Sequence, residues 1–244
     1  MPLTDEQRER YIRNIDIVGL GVEGQERLLA SSVLVIGAGG LGSAALPYLA
    51  AAGVGRIGVV DGDVVELTNM QRQVLHTELG RSKASSAVER LGALNPGIIV
   101  EGFPEYLTLE RAAEMFPQFD LVMDCTDTFA AKFLISDAAE RVEARLVWAS
   151  AVGMQGQCSV FGVPDRHGDR LYLRDLIPEE PVDGAYPKAT DIGVLGAMVG
   201  QLGTLQATEA IKLLAGFGEP LVGRVAVLDA LRSRWDCLPL RRVR

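Results

Sequence analysis

Residues Asp61 to His76, DGDVVELTNMQRQVLH, gather two aspartates with Asn69, Gln71, Arg72 and Gln73. A glycine run, Gly37-Ala38-Gly39-Gly40-Leu41-Gly42, stands upstream, and Lys83 and DCTD (Asp124 to Asp127) stand downstream. Glycines let a backbone approach phosphate closely, a helix start favours negative charge, and an acid after the next strand accepts ribose hydroxyls. Gly37, Gly39, Gly40 and Gly42 keep that spacing, and Asp61 lies 19 residues beyond Gly42. An adenosine phosphate is the expected ligand; a glycine turn made only for packing is the plainer alternative.

A hydride-transfer enzyme uses the same turn but also needs a proton donor. The chain has two histidines, His76 in the polar cluster and His167 in a loop rich in Asp and Arg, and it has no Tyr-x-x-x-Lys pair. Attack of a carboxylate on the α-phosphorus of ATP accounts for more of the residues. Pyrophosphate leaves, an acyl-adenylate forms, and charge on the phosphoryl oxygens is balanced by Arg, Lys and Mg²⁺. Positioning and preorganised charge do most of that catalysis. The parts needed are a glycine turn, a ribose acid, cations beside the triphosphate and an acid for the metal.

The segments RYIRNI, VLVIGAGGLGS, YLAAAGVG, VVDGDVVELTNMQRQVL, GRSKA, DLVMDCTDT, ASAVGMQGQ and GTLQATEAIKLLAG follow one another along the chain. In that order they resemble the ThiF/MoeB/HesA family of adenylyltransferases, which is related to ubiquitin-activating enzymes. The resemblance covers nearly the whole sequence, and LTNMQRQ together with DCTD is far more specific than the glycine loop. It implies that Gly39 and its neighbours approach the phosphates and that Asp61 is the ribose acid. It also implies that Asn69, Arg72 and Gln73 face the nucleotide, that Lys83 reaches the triphosphate, and that Asp127 holds Mg²⁺. Asp63 is carried with the nucleotide-binding set, although it reads equally as a turn residue. Arg13, in the N-terminal arm, is expected to enter the neighbouring subunit's site, which makes the active unit a homodimer. The carboxylate implied is the C-terminal glycine of a ubiquitin-like sulfur carrier such as ThiS or MoaD, with a possible separate sulfur donor. Adenylation of a small-molecule or peptide carboxylate stays open as the alternative.

Several positions have simpler readings. Asp127 can cap a helix beginning at Thr128, and Arg13 can pair with Asp16 or Glu9. Many relatives carry a structural zinc on two C-x-x-C pairs; here the loop pair falls at DRLYLRDL, without cysteine, and the terminal pair would follow LPLRRVR. No zinc is expected. Some relatives place a reactive cysteine before the final helix, where this chain reads PKATDIGVLG with Ala189 as the counterpart. Cys125 reads as packing, and Cys158 and Cys237 as structural. The expected chemistry therefore stops at adenylation.

These residues need a scaffold. SVLVI, RIGVVD, IIVEGF, FDLVMDCTD and RLVWASA read as strands alternating with helices, one of which is stopped by Asn95-Pro96. Pro47 is expected to kink or limit its helix. GQCSVFGVP and RVAVLDA read as antiparallel strands, separated by a charged, proline-rich crossover loop near 164–190 and an apolar helix. The fold class expected is α/β: a Rossmann-like doubly wound sheet, mostly parallel, with antiparallel C-terminal strands. One adenylation domain over 1–244 is expected, divided into an N-terminal helical arm (1–30), a Rossmann-like nucleotide-binding part (31–152) and a C-terminal part (153–244) of antiparallel strands, crossover loop and helix. With 244 residues, 48% hydrophobic, and a net charge of −8, the chain can bury one sizeable core, and nonspecific nucleic-acid binding is not expected. A polar start, no membrane-length apolar run and three scattered cysteines make a cytoplasmic location the expectation.

Overall fold

The β-branched runs SVLVI and RIGVV lie side by side in an eight-stranded sheet in the computed structural model, which describes residues 2–182 and 192–242. The strands are β1 (Ser32–Ile36), β2 (Arg56–Val60), β3 (Ile99–Phe103), β4 (Leu121–Asp124), β5 (Leu146–Val152), β6 (Gln155–Phe161), β7 (Arg224–Asp229) and β8 (Arg234–Pro239). Their order is β3-β2-β1-β4-β5-β6-β7-β8. Strands β1 to β5 pair in parallel, and β5 to β8 continue the sheet antiparallel.

Helices α1 (Asp5–Ile15), α2 (Gly21–Ala30), α3 (Gly40–Ala52), α4 (Lys83–Leu94), α5 (Leu109–Met115), α6 (Phe129–Arg141), α7 (Leu173–Leu176) and α8 (Gly196–Ala215) complete the described elements. The central parallel strands β1, β2 and β4 are covered on both faces, so their residues are mostly apolar without alternation. Val33, Val35, Ile57 and Met123 join a core with residues of α2, α3, α4 and α8. Leu34, Ile36 and Val122 join a second core with α5 and α6 on the opposite face.

Chain order reverses at β1, because β2 leaves on one side and β4 joins on the other, with Ile36 level with Asp124. In an open α/β sheet a ligand crevice opens at the carboxyl ends of such strands. The glycine turn follows β1 and the DCTD run ends β4 and continues past it, so both motifs meet there.

The structure departs from expectation at Pro47 and in the crossover loop. Helix α2 lies within the N-terminal arm (1–30) expected to be helical. Its Gly21 and Gly24 weaken any helical signal, and tertiary contacts hold it, including Arg27 Nε donating to the Ala215 carbonyl at 2.8 Å. Helix α3 runs through Pro47 as one element; the ring forfeits the single bond to the Ser43 carbonyl. The segment read as an unpatterned loop buries Leu171, Tyr172 and Leu173 and forms α7, with the Leu173 amide donating to Ser136 Oγ at 3.0 Å. Residues 183–191, Ala189 among them, lie outside the described residues.

Asn95 does more than stop α4. Its Nδ2 donates to the Tyr11 hydroxyl at 2.9 Å and to the Ala50 carbonyl at 2.7 Å, which docks α1 against the end of α3. Among the described residues, no helix is long and apolar enough to cross a membrane.

Candidate functional site

A cavity of about 380 Å³ opens where β1, β2 and β4 end. Gly37, Gly39 and Gly40 form one wall. Gly37 has φ of 96°, and a Cβ there would sit 2.8 Å from the Cys125 carbonyl oxygen. Gly42 is outside the cavity lining. A Cβ at Gly42 would come within 2.1 Å of the Gly37 carbonyl oxygen, so its role is to let α3 close on the turn.

The Ala38 peptide between these glycines is held from two sides. Its amide donates to Asp61 Oδ2 at 2.7 Å, and its carbonyl lies 2.7 Å from His76 Nε2. A carbonyl can only accept, so Nε2 carries the proton, and Nδ1 accepts from Ser86 Oγ at 3.0 Å. Burial pushes the His76 pKa below its ordinary value. The folded protein thus binds fewer protons than the unfolded chain in the window between the two values. Stability is full above the unfolded pKa of about 6.5 and falls as pH drops below it. Thermal melting between about pH 7.5 and about pH 5.5 should show a steeper loss for the wild type than for His76→Gln. Parallel slopes would remove His76 from that account.

Asp61 also accepts from the Asp63 amide through Oδ1 at 2.9 Å. Each carboxylate oxygen keeps a free lone pair, the acceptor chemistry a ribose diol needs. Asp63 accepts from Lys83 Nζ at 2.9 Å and from the Tyr106 hydroxyl at 2.6 Å. Burial pushes the Asp63 carboxyl up, but the bonds from Tyr106 and Lys83 and the lysine charge outweigh it and hold it below the usual carboxylate range. Lys83 sits at the first position of α4, behind the Ser82 cap, and its side chain is only 6% exposed. Both Asp63 and Lys83 border the cavity.

A 3₁₀ turn, Leu67–Asn69, sets the next two side chains. Asn69 is buried and does not line the cavity. Its Oδ1 accepts from the Glu66 amide at 3.0 Å, and its carbonyl accepts from the Arg72 and Gln73 amides at 3.0 and 2.9 Å. It shapes the turn from inside, where the sequence suggested direct contact with a ligand. Arg72 and Gln73 do border the cavity. Arg72 Nη1 donates to the Thr68 carbonyl at 3.0 Å, its one partner among the described residues. Gln73 is 5% exposed, and its buried Oε1 has no hydrogen-bond partner. A buried polar atom without a partner at a cavity wall is the feature expected of a group waiting for a ligand.

Asp127 stands exposed at the opposite wall with no hydrogen bond or ion pair among the described residues. The cap of α6 is Thr128, whose Oγ1 accepts from the Ala131 amide, and not Asp127. One free carboxylate beside a phosphate site suits Mg²⁺, which keeps several waters and takes one or two protein carboxylates. Arg13 does not line this cavity: its side chain is 92% exposed and lies 3.6 Å from Asp16.

Sequence reasoning did not single out Tyr106, nor the apolar wall made by Leu107, Leu134 and Ile135. The loop after β3 and the inner face of α6 bring them in, and no spacing in the sequence announces that. Cys125 and Cys158 are buried, and burial pushes both thiols up. Cys237 is exposed on β8, contrary to the structural role expected of it. No group of three or more His, Cys, Asp or Glu among the described residues is placed to hold a metal ion.

A doubly wound sheet with its cavity at the point of reversal defines a Rossmann-like ligand-binding protein. The chain belongs to the ThiF family, whose model matches residues 11–244. It is 46% identical over 242 residues to the probable adenylyltransferase/sulfurtransferase MoeZ of Mycobacterium tuberculosis, a match covering 98% of this chain and 62% of that protein. It is 44% identical over 245 residues to the sulfur carrier protein adenylyltransferase of Thermus thermophilus, covering 99% of this chain and 90% of that one. Among solved structures, PaaA superposes with a TM-score of 0.81 at 22% identity, covering 99% of this chain and 76% of its own. E. coli MccB with ATP superposes at 0.78 and 19%, covering 98% and 73%. These two likenesses establish the fold.

Proposed function

We propose that this protein is an adenylyltransferase that uses ATP and Mg²⁺ to activate the C-terminal glycine carboxylate of a ubiquitin-like sulfur-carrier protein. The product is the acyl-adenylate, with release of pyrophosphate. One observation carries this reading: Asp61, Arg72, Gln73, Lys83 and Asp127 border a single cavity beside a glycine turn. The Thermus thermophilus relative, matched along 90% of its length, is named a sulfur carrier protein adenylyltransferase.

In this reading the glycine turn offers its backbone to the phosphates, and Asp61 accepts the ribose hydroxyls. Arg72 and Lys83 balance the charge that develops at the α-phosphorus as the carboxylate attacks and pyrophosphate departs. Gln73 turns its unpartnered amide oxygen to the nucleotide, and the apolar wall receives the base. Asp127 holds Mg²⁺, which when bound neutralises phosphate oxygens. Arg13, exposed on α1, reaches the site of a second copy, so the working unit is a homodimer in the cytoplasm. Sulfur arrives from a separate donor.

ATP–pyrophosphate exchange tests the reading. Exchange is expected only when a carrier ending in Gly-Gly is present, and a carrier lacking its terminal glycine should be inert. ATP binding without exchange on any carrier would sink it.

A further inference from the structure

We propose that the buried pair Lys132–Asp124 is a positioning device for Asp127; the inference rests on the reading of Asp127 as the Mg²⁺ acid. Lys132 is 2% exposed and Asp124 0%. Lys132 Nζ lies 3.2 Å from Asp124 Oδ2 and donates to the Ala149 carbonyl at 2.6 Å. Burying two charges is costly, and apolar residues of similar volume often match or exceed such a pair in stability. A reason other than stability is therefore needed.

The second oxygen of Asp124 supplies it. Oδ1 accepts from both the amide and the hydroxyl of Thr126, at 2.9 and 2.6 Å, and so sets the turn that leaves β4. Gln206 Nε2 fixes the same residue by donating to the Asp124 carbonyl at 2.8 Å. On the far side, Thr128 caps α6, and the Lys132 amide donates to the Thr128 carbonyl at 3.1 Å. Asp127 lies between these two anchored residues and has no bond of its own among the described residues. Lys132 thus ties the first turn of α6 to the end of β4 and to β5. Neither Lys132 nor Asp124 lines the cavity, so both act through the backbone that carries Asp127. Residues that orient a metal-binding carboxylate typically contribute roughly 10–100-fold to metal affinity.

The test replaces the pair by Asp124→Leu with Lys132→Met, and includes Lys132→Arg as the variant that keeps the pair. Amide exchange is measured on the ligand-free proteins, and ATP binding is measured by calorimetry with and without Mg²⁺. In the double variant the Thr126 amide should exchange faster while β4 and β5 keep their protection. The affinity gained from Mg²⁺ should fall roughly 10–100-fold, with Mg²⁺-free affinity unchanged and Lys132→Arg near the wild type. Wild-type protection at Thr126 together with a wild-type Mg²⁺ gain overturns the proposal. If the double variant does not fold, Asp124→Ala with Lys132→Met takes its place, and the same pair of wild-type results overturns the proposal there. If the wild type binds no ATP, the adenylation reading fails on its own, and amide exchange still decides whether the pair sets the turn.

Discussion

Arg72→Ala is expected to lower carrier-dependent ATP–pyrophosphate exchange roughly 10²–10³-fold, the usual loss for one preorganised donor to a developing anion. The fold should hardly register the change. Among the described residues the Arg72 side chain makes one hydrogen bond, to the Thr68 carbonyl, and such half-exposed contacts contribute about 0.5 kcal/mol or less. The melting temperature should therefore stay within about 2 °C of the wild type. Lys83 is already paired with Asp63, so among the described residues Arg72 is the cation at this cavity whose partner is only a neutral carbonyl. That is why its loss should fall on the chemical step as well as on ATP affinity. Unchanged exchange would remove Arg72 from the charge-balancing role.

Asp127→Asn should be comparably severe but should differ in kind. Among the described residues the side chain has no bond to lose, so the fold again stays intact. Exchange should fall roughly 10²-fold or more at ordinary Mg²⁺, and part of the loss should return as Mg²⁺ is raised, because the defect is in metal occupancy. Arg72→Ala should show no such recovery. A Mg²⁺ dependence identical to that of the wild type would show that Asp127 is not the metal acid. Titrating both variants with Mg²⁺ separates the roles in one experiment.

The elements most legible in the sequence are those whose chemistry is local. β-Branched runs mark β1 and β2, a short apolar run marks β4, and the spacing from Gly42 to Asp61 places the turn and the acid at the ends of adjacent strands. Arg72, Gln73, Lys83 and Asp127, named from the sequence and its family resemblance, do border one cavity. What is not legible depends on contacts between distant segments. Asn69 turns its side chain inward to Glu66, a choice made by the turn and not by residue type. Tyr106 meets Asp63 across 43 positions of chain. The α7 region looks unpatterned because the surface it packs against, near Ser136 and Asp137, lies 37 residues away. Lys132 carries no motif at all, since its importance comes from the two strands it joins.

The clamp on the Ala38 peptide by Asp61 and His76 has a thermodynamic consequence. A glycine-rich loop left free would surrender its conformational freedom on meeting a ligand, and the binding entropy would record that loss. Here the ordering is completed during folding, so a phosphate would meet a loop already set. Ligand entry at this wall should then resemble docking onto a rigid body, with little entropy lost from the glycine turn itself.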